Sequence, residues 1–219
     1  PGRGGISVIR LSGPLAVKVG EALCGRLEKP WKLKHCKIKR KDGKVIDTGL
    51  VVFFKSPNSY TGEDVVEIHS HGNPKIVDLI VEEGVACGAE IAGPGEFTKR
   101  AYLNNKIDLA QAESVADLIS AQTEEAALAA HNSLSGQFSS DISSCIDSLV
   151  KSRVYIEASI DFPEEEVDSV GLAQTRSEIK KQLDFIEDTL ASAKRGVLVR
   201  EGFSVVIVGP PNAGKSTLL

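Results

Sequence analysis

The stretch that most constrains the fold is residues 122–160, which contains few glycines or prolines. Its apolar residues keep the spacing of one helical face: Phe138, Ile142, Ile146, Leu149 and Ile156. This pattern predicts a helix of some thirty residues, much longer than the usual ~11–12. Asp161-Phe162-Pro163 ends it, because proline disfavours the helical conformation in the residue before it. A helix of this length indicates a bundle or a strut between domains.

Helical spacing also precedes and follows this stretch. The apolar residues from Leu109 to Ile119 predict a helix, and a second amphipathic pattern predicts another from about Leu172 to Lys194. The second half of the chain is therefore predicted to be an all-α domain, residues 106–202.

The first hundred residues instead alternate short strands and helices. Strands are predicted at residues 6–11, 50–54 and 65–69. Asp42-Gly43 is a hairpin turn signal, a helix starts at Ser12-Gly13-Pro14 and runs to about Leu27, and Pro74 lies in the first turn of another helix. Residues 1–105 are therefore predicted to form an α+β domain.

Charge is unevenly distributed along the chain. The 219 residues carry a net charge of −4, but residues 26–44 carry +7 and the remainder −11. A basic stretch can contact RNA phosphates, although lysines also protect an edge strand from sheet-to-sheet association. We favour the edge strand, because aromatic side chains for base stacking do not alternate with the basic residues. No apolar run approaches the ~20 residues that cross a bilayer, so no membrane association is expected.

The cysteines and two of the histidines offer no recognisable metal site. Cys24, Cys36, Cys87 and Cys145 are far apart in sequence, which favours reduced, mostly buried thiols over a metal site or a redox pair. His69 and His71 face the same side of a predicted strand and could form part of a zinc site. A packing role is favoured, because the sequence supplies no recognisable third ligand.

The chain ends in a phosphate-loop pattern: Gly209, four further residues and Gly214-Lys215-Ser216. The apolar run Phe203–Val208 before it predicts a parallel strand buried on both faces. Lys215 is expected to reach the β- and γ-phosphates of a nucleotide, and Ser216 to hold Mg²⁺. Residues 203–219 are interpreted as the start of an α/β nucleotide-binding domain, and the chain as a fragment cut just inside it.

Many short motifs also occur in one order along the chain. They are Pro1-Gly2-Arg3-Gly4-Gly5, Ile9-Arg10-Leu11-Ser12-Gly13, Ser59-Tyr60-Thr61-Gly62-Glu63-Asp64, His71-Gly72, Pro94-Gly95-Glu96-Phe97-Thr98, Arg100-Ala101-Tyr102-Leu103-Asn104, Lys106-Ile107-Asp108-Leu109, Gln111-Ala112-Glu113 and Ile160-Asp161-Phe162-Pro163. With the phosphate loop, they resemble the MnmE (TrmE) family of tRNA-modifying GTPases over nearly the whole chain.

The resemblance implies a fold of three parts. These are an α+β folate-binding domain that forms a homodimer, an all-α helical domain, and the first strand and phosphate loop of a Ras-like α/β GTPase domain. It also implies that the parent protein hydrolyses GTP and works with an FAD-dependent partner of the MnmG type. Together they would install a carboxymethylaminomethyl-type group at C5 of the wobble uridine (U34) of certain tRNAs. A reduced folate, 5-formyl- or methylene-tetrahydrofolate, would supply the one-carbon unit. The implied location is the cytoplasm of a bacterium, or the mitochondrion if the source is eukaryotic.

The resemblance implies, through the matched motifs, that Arg10, Glu67 and Lys106 contact the folate. A glutamate can accept two pterin N–H bonds, and the two cationic side chains can meet anionic or carbonyl oxygens. Alternatively, Arg10 and Glu67 pair with each other on neighbouring strands, and Lys106 is a solvated loop residue.

The resemblance carries GTP binding to Asn212, Ala213, Gly214, Lys215, Ser216 and Thr217. It also implies that Asn212 is a ligand of K⁺; alternatively, Asn212 only shapes the turn. Catalytic residues are expected beyond Leu219. Two other functions stay open: a non-catalytic module that binds reduced folate and dimerises, and an unrelated nucleoside triphosphatase whose first two hundred residues are a scaffold.

Overall fold

The computed structural model describes residues 3–27, 29–161, 169–201, 206 and 208–210. The chain divides into two compact units, residues 1–112 and 113–219. Within the described residues, no helix combines the length and apolar character needed to cross a membrane.

The first unit contains a four-stranded antiparallel sheet and three helices. In chain order the elements are β1 (Gly4–Ser12), α1 (Ala16–Cys24), β2 (Lys34–Lys39), β3 (Val45–Phe54), β4 (Val65–Gly72), α2 (Pro74–Ala86) and α3 (Glu96–Leu103). The strand order is β1-β4-β3-β2, so the basic β2 is an edge strand. The three predicted strands and the turn at Asp42-Gly43 are confirmed, and the α+β layout with them.

The core lies between one face of this sheet and the helices α1 and α2. Alternation along each strand sends every second side chain to that face. The buried residues that form this cluster are Ala16, Val19, Leu23, Cys24, Cys36, Ile38, Val51, Val66, Ile68 and Ile80. All four cysteines are free. A hydrogen bond with Cys36 and burial both raise the pKa of the Cys24 thiol, which keeps it protonated at neutral pH.

Capping residues set the ends of the two core helices. Asn73 accepts a hydrogen bond from the backbone N–H of Lys75, and Pro74 occupies the first helical position of α2, as predicted. The first helix ends at Cys24 rather than near Leu27. The physical reason is Gly25, whose φ of 77° cannot continue a right-handed helix.

The second unit is helical. Helix α4 (Leu109–Ser120) spans the division between the units, and α5 (Glu124–Leu134), α6 (Gln137–Asp161) and α7 (Ser169–Glu201) follow. The prediction of one helix of thirty residues is wrong, because Gly136 adopts a φ of 84° and separates α5 from α6. The helix predicted for residues 172–194 is confirmed but longer, with 33 residues.

The predicted strand at residues 203–208 lies largely outside the described residues. Val206 and Val208 are described; both are exposed and belong to no strand, so the buried strand is not found there. The described part of the fold is therefore an α+β unit followed by a helical unit.

Strands β3 and β4 approach so closely at Gly49 that no side chain fits there. A Cβ at Gly49 would overlap the backbone carbonyl oxygen of His69 on the neighbouring strand. We expect Gly49→Ala to lower the free energy of unfolding by about 1–3 kcal/mol, because the sheet must shift to admit a methyl group. Urea denaturation followed by circular dichroism measures the loss. The control is Gly5→Ala on β1, where a Cβ meets no atom within 4 Å and no large loss is expected. Equal stability of both variants would contradict the prediction.

Candidate functional site

Arg10 and Glu67 meet on the face of the sheet opposite the core. They are directly opposite each other in the antiparallel pairing of β1 with β4. The Arg10 Nε and Nη2 atoms both bind Oε1 of Glu67, at 2.7 and 2.6 Å. The Arg10 side chain is 40% exposed and that of Glu67 is 16% exposed. This charge-assisted pair therefore stays accessible to a ligand.

Two aromatic rings flank the Arg10 guanidinium. Its central carbon lies 5.8 Å from the centroid of Tyr60 and 5.7 Å from that of Phe97, within the range of cation–π attraction. The Tyr60 hydroxyl is 2.9 Å from Oγ1 of Thr98, the residue after Phe97 on α3. The two rings are thus linked through α3 and limit the positions open to Arg10.

Lys106 contacts the loop that carries Tyr60. Its Nζ donates a 3.0 Å hydrogen bond to the carbonyl of Pro57, and its stem lies against Gly62. Residues 55–64 thus connect to Arg10 through Tyr60 and to Lys106 through Pro57. Of the three predicted folate residues, the structure brings Arg10 and Glu67 into direct contact. Lys106 contacts the loop of residues 55–64, whose Tyr60 flanks Arg10.

A polar network fixes this loop against β1 and α3. Ser12 Oγ is 2.6 Å from Thr61 Oγ1 and donates to Glu63 Oε2 at 2.7 Å. Arg100 binds Glu63 at 3.3 Å and Glu96 at 2.6 Å. The Arg100 hydrogen bond, helped by the backbone N–H of Gly93, holds the pKa of Glu96 below its ordinary value of 4.5. The Glu96 carboxylate is therefore ionised at neutral pH.

A cavity of about 500 Å³ lies beside β1, between α1, α2 and α3. Arg10, Phe97 and Arg100 border it, and most of the remaining lining is apolar, including Val19 and Ile80. Glu67 is not among the lining residues and is connected to the cavity through Arg10. An apolar cavity with a few polar groups at its border is typical of small-molecule sites.

The alternative proposed for Arg10 and Glu67, a pair on neighbouring strands, describes the contact that the structure shows. Both side chains of the pair can still form further hydrogen bonds. Glu67 Oε2 makes only a 3.5 Å contact with His69 Nε2, and Arg10 Nη1 has no hydrogen bond to any described residue. Folate binding by these residues stays a prediction.

His69 and His71 each contact a carboxylate. His69 lies against Glu67, while the Nδ1 atom of His71 is 2.8 Å from Asp47. Burial alone would raise the pKa of Asp47, but hydrogen bonds from the His71 backbone, the His71 ring and Thr48 lower it. In the part of the chain that the structure describes, no group of three His, Cys, Asp or Glu side chains could hold a metal ion.

The predicted nucleotide site lies outside the described residues. This applies to Asn212, Ala213, Gly214, Lys215, Ser216 and Thr217, so the Mg²⁺ and K⁺ assignments stay predictions. Of the phosphate-loop pattern, only Gly209 and Pro210 are described.

Sequence reasoning missed four residues of interest. Tyr60, Phe97 and Arg100 belong to motifs quoted for the resemblance, but their convergence on Arg10 and Glu63 depends on tertiary contacts. Trp31 lies inside the basic stretch, and the residue is 62% exposed. Its position among lysines was the available signal for a stacking residue.

Comparison with known families adds two matches that together cover almost the whole chain. Residues 1–106 match the family model described as GTP-binding protein TrmE N-terminus, and residues 109–207 match the MnmE helical domain.

Curated relatives carry one common name, tRNA modification GTPase MnmE. Those from Haemophilus influenzae (strain PittGG) and Legionella pneumophila (strain Philadelphia 1) are each 47% identical over 220 residues, and one from Neisseria meningitidis (strain FAM18) is 47% identical over 219. Each alignment covers 100% of this chain and 49% of the relative. The chain thus spans about half the length of the curated relatives it matches.

The Glu96–Arg100 pair leads to a pH-dependent prediction. Because folding lowers the pKa of Glu96, the ionised carboxylate stabilises the fold at neutral pH, and this contribution is lost as the pH falls through the lowered value, below 4.5. We expect Glu96→Gln to be less stable than the original protein at pH 7 and the difference to shrink toward roughly pH 3. Urea denaturation across this pH range measures both effects. Glu82→Gln, at an exposed position of α2, is the control; a difference for Glu96→Gln that does not depend on pH would contradict the assignment.

Proposed function

The chain belongs to the MnmE family of tRNA modification GTPases, and from this premise we propose that it forms the folate-binding and helical part of a wobble-uridine-modifying enzyme. In this proposal the whole protein acts with an FAD-dependent MnmG-type partner. It installs a carboxymethylaminomethyl-type group at C5 of U34 in certain tRNAs, with a reduced folate as the one-carbon source. The observation that carries the proposal is the accessible Arg10–Glu67 pair, in which Arg10 borders an apolar cavity.

Glu67 is proposed to hold the polar edge of the pterin. Neighbouring N–H groups of a pterin suit a carboxylate with a free oxygen, and Oε2 of Glu67 has only its long contact with His69. Arg10 already occupies Oε1, which fixes the carboxylate plane. The pair can therefore accept the ligand without being broken.

Arg10 and Lys106 are proposed to supply the positive charge of the site. The Nη1 atom of Arg10 is available, and the rings of Tyr60 and Phe97 restrict the direction in which it can donate. The ammonium of Lys106 holds a backbone carbonyl and can exchange it for a ligand oxygen without leaving a buried group unpaired, because the contact is exposed. A folate offers both carbonyl and carboxylate oxygens to these cations.

GTP binding is proposed for the phosphate loop. Backbone N–H groups of Ala213, Gly214 and Thr217 suit phosphate oxygens, Lys215 would meet the β- and γ-phosphates, and Ser216 would hold Mg²⁺. Asn212 would provide an oxygen ligand for K⁺. Catalytic groups are proposed to lie beyond Leu219; the curated relatives are about twice as long as this chain.

Homodimerisation through the first unit and a cytoplasmic location complete the proposal. The curated relatives are bacterial proteins. The alternative function, a folate-binding module without turnover, differs only in activity. It applies to this chain alone, and it is favoured if the chain binds reduced folate and hydrolyses no GTP.

Folate binding is tested by calorimetric titration of the chain with 5-formyltetrahydrofolate. We expect Arg10→Ala and Glu67→Gln each to weaken binding about 10- to 100-fold, because each removes a charge-assisted hydrogen bond worth roughly 1.5–3 kcal/mol. Arg40→Ala is a matched control, since Arg40 forms a similar exposed pair with Glu83, with side-chain exposures of 44% and 12%. No binding by the folded chain, or equal losses in all three variants, would refute the folate site.

The nucleotide assignment is tested in the full-length protein. We expect Lys215→Ala to lower the rate constant of GTP hydrolysis by about 100-fold or more, because the lysine neutralises charge that develops on the phosphates. Release of inorganic phosphate measures the rate, with Lys18→Ala on the exposed face of α1 as control. If Lys215→Ala hydrolysed GTP at the original rate, the assignment of Lys215 to the nucleotide site would be wrong.

A further inference from the structure

Trp31 has an unusual backbone conformation for a large side chain. Its φ of 63° lies in the left-handed region, which bulky residues rarely occupy. The backbone N–H of Trp31 donates a 2.8 Å hydrogen bond to the carbonyl of Phe53, and the indole meets the ring of Phe54 edge-on at 4.8 Å. The local structure therefore holds this conformation in place.

This conformation presents the indole to solvent instead of burying it. The residue is 62% exposed although its side chain has a large apolar surface. A strained residue whose side chain stays exposed contributes little to the stability of the fold. Such backbone outliers cluster at functional sites. The edge-on contact with Phe54 covers only part of the indole, so a planar ligand can stack on the rest.

Unpaired lysines surround Trp31 in the chain. Arg40 and Lys44 form ion pairs with Glu83 and Asp42, and Lys34 binds the carbonyl of Arg26. Among the described residues, the exposed lysines of this segment without an ion pair are Lys29, Lys32, Lys37, Lys39 and Lys41. Because β2 is an edge strand, Lys37 and Lys39 lie at the rim of the sheet.

We infer that Trp31 and these five lysines form an RNA-binding surface, which we call the Trp31 surface, and that it recognises an unpaired base. The indole would stack on the base, and the lysines would meet the neighbouring phosphates; this combination is how proteins hold single-stranded nucleic acid. An acidic peptide would use the lysines but has no need of an exposed indole. The inference rests on the proposed tRNA function and assigns the RNA contact to this edge of the first unit.

The chain contains one tryptophan, so its fluorescence reports on this surface alone. We expect a tRNA transcript to quench the emission, and the logarithm of its binding constant to fall with the logarithm of salt concentration by about 0.7–0.9 per phosphate contact. A fully paired RNA duplex with the same number of phosphates should quench far less. Tryptophan emission that does not change when the tRNA binds would overturn the inference, as would emission that changes with protein concentration alone, which would indicate an interface between copies.

Variants separate the stacking from the charge, with fluorescence anisotropy of labelled tRNA as the readout. We expect Trp31→Ala to weaken binding about 5- to 100-fold, Trp31→Phe to restore most of it, and Lys37→Glu with Lys39→Glu to abolish it. The control with the same charge change is Lys180→Glu with Lys181→Glu on α7. Unchanged affinity in Trp31→Ala, or no tRNA binding by the chain, would overturn the Trp31 surface. The proposed function is judged separately, since folate titration and GTP hydrolysis do not involve these residues.

Discussion

The first unit depends on alternation along β4, the strand that pairs with both β1 and β3. Val66 and Ile68 point into the core and are fully buried. Glu67 lies between them in sequence, so the pleat forces its carboxylate onto the other face. The antiparallel register then places Arg10 of β1 opposite it. A shift of β4 by one residue would turn Glu67 toward the core and expose Val66 and Ile68, so hydrophobic packing specifies the position of the site.

Contacts outside the sheet then fix the groups that surround Arg10. The loop of residues 55–64 has no regular structure of its own, and Ser12 and Arg100 bind it through Thr61 and Glu63. These bonds place Tyr60 against Arg10, while Phe97 arrives from α3. The site is therefore assembled from one rigid sheet face and two segments that polar contacts hold to it.

Local signals in the sequence predicted the strands, the hairpin and most helices, because apolar spacing and turn residues determine these features. They failed where one residue overrides the pattern: Gly136 divides a stretch whose apolar spacing continues across it. The pairing of Arg10 with Glu67 was foreseen only as an alternative, since register is a tertiary property. The position of Trp31 among lysines is visible in the sequence, but its exposure follows from a backbone conformation that the sequence does not show.

The energetics of the Arg10–Glu67 pair argue for a binding role. Partly exposed ion pairs contribute about 0–1 kcal/mol to stability, and apolar residues of similar volume often serve a fold as well or better. Two rings and two hydrogen bonds nevertheless restrain this one arginine. Such restraint adds little to the stability of the fold. It does reduce the conformational entropy that the arginine side chain loses when a ligand binds. The restraint on Arg10 therefore supports the binding role that we propose for the pair.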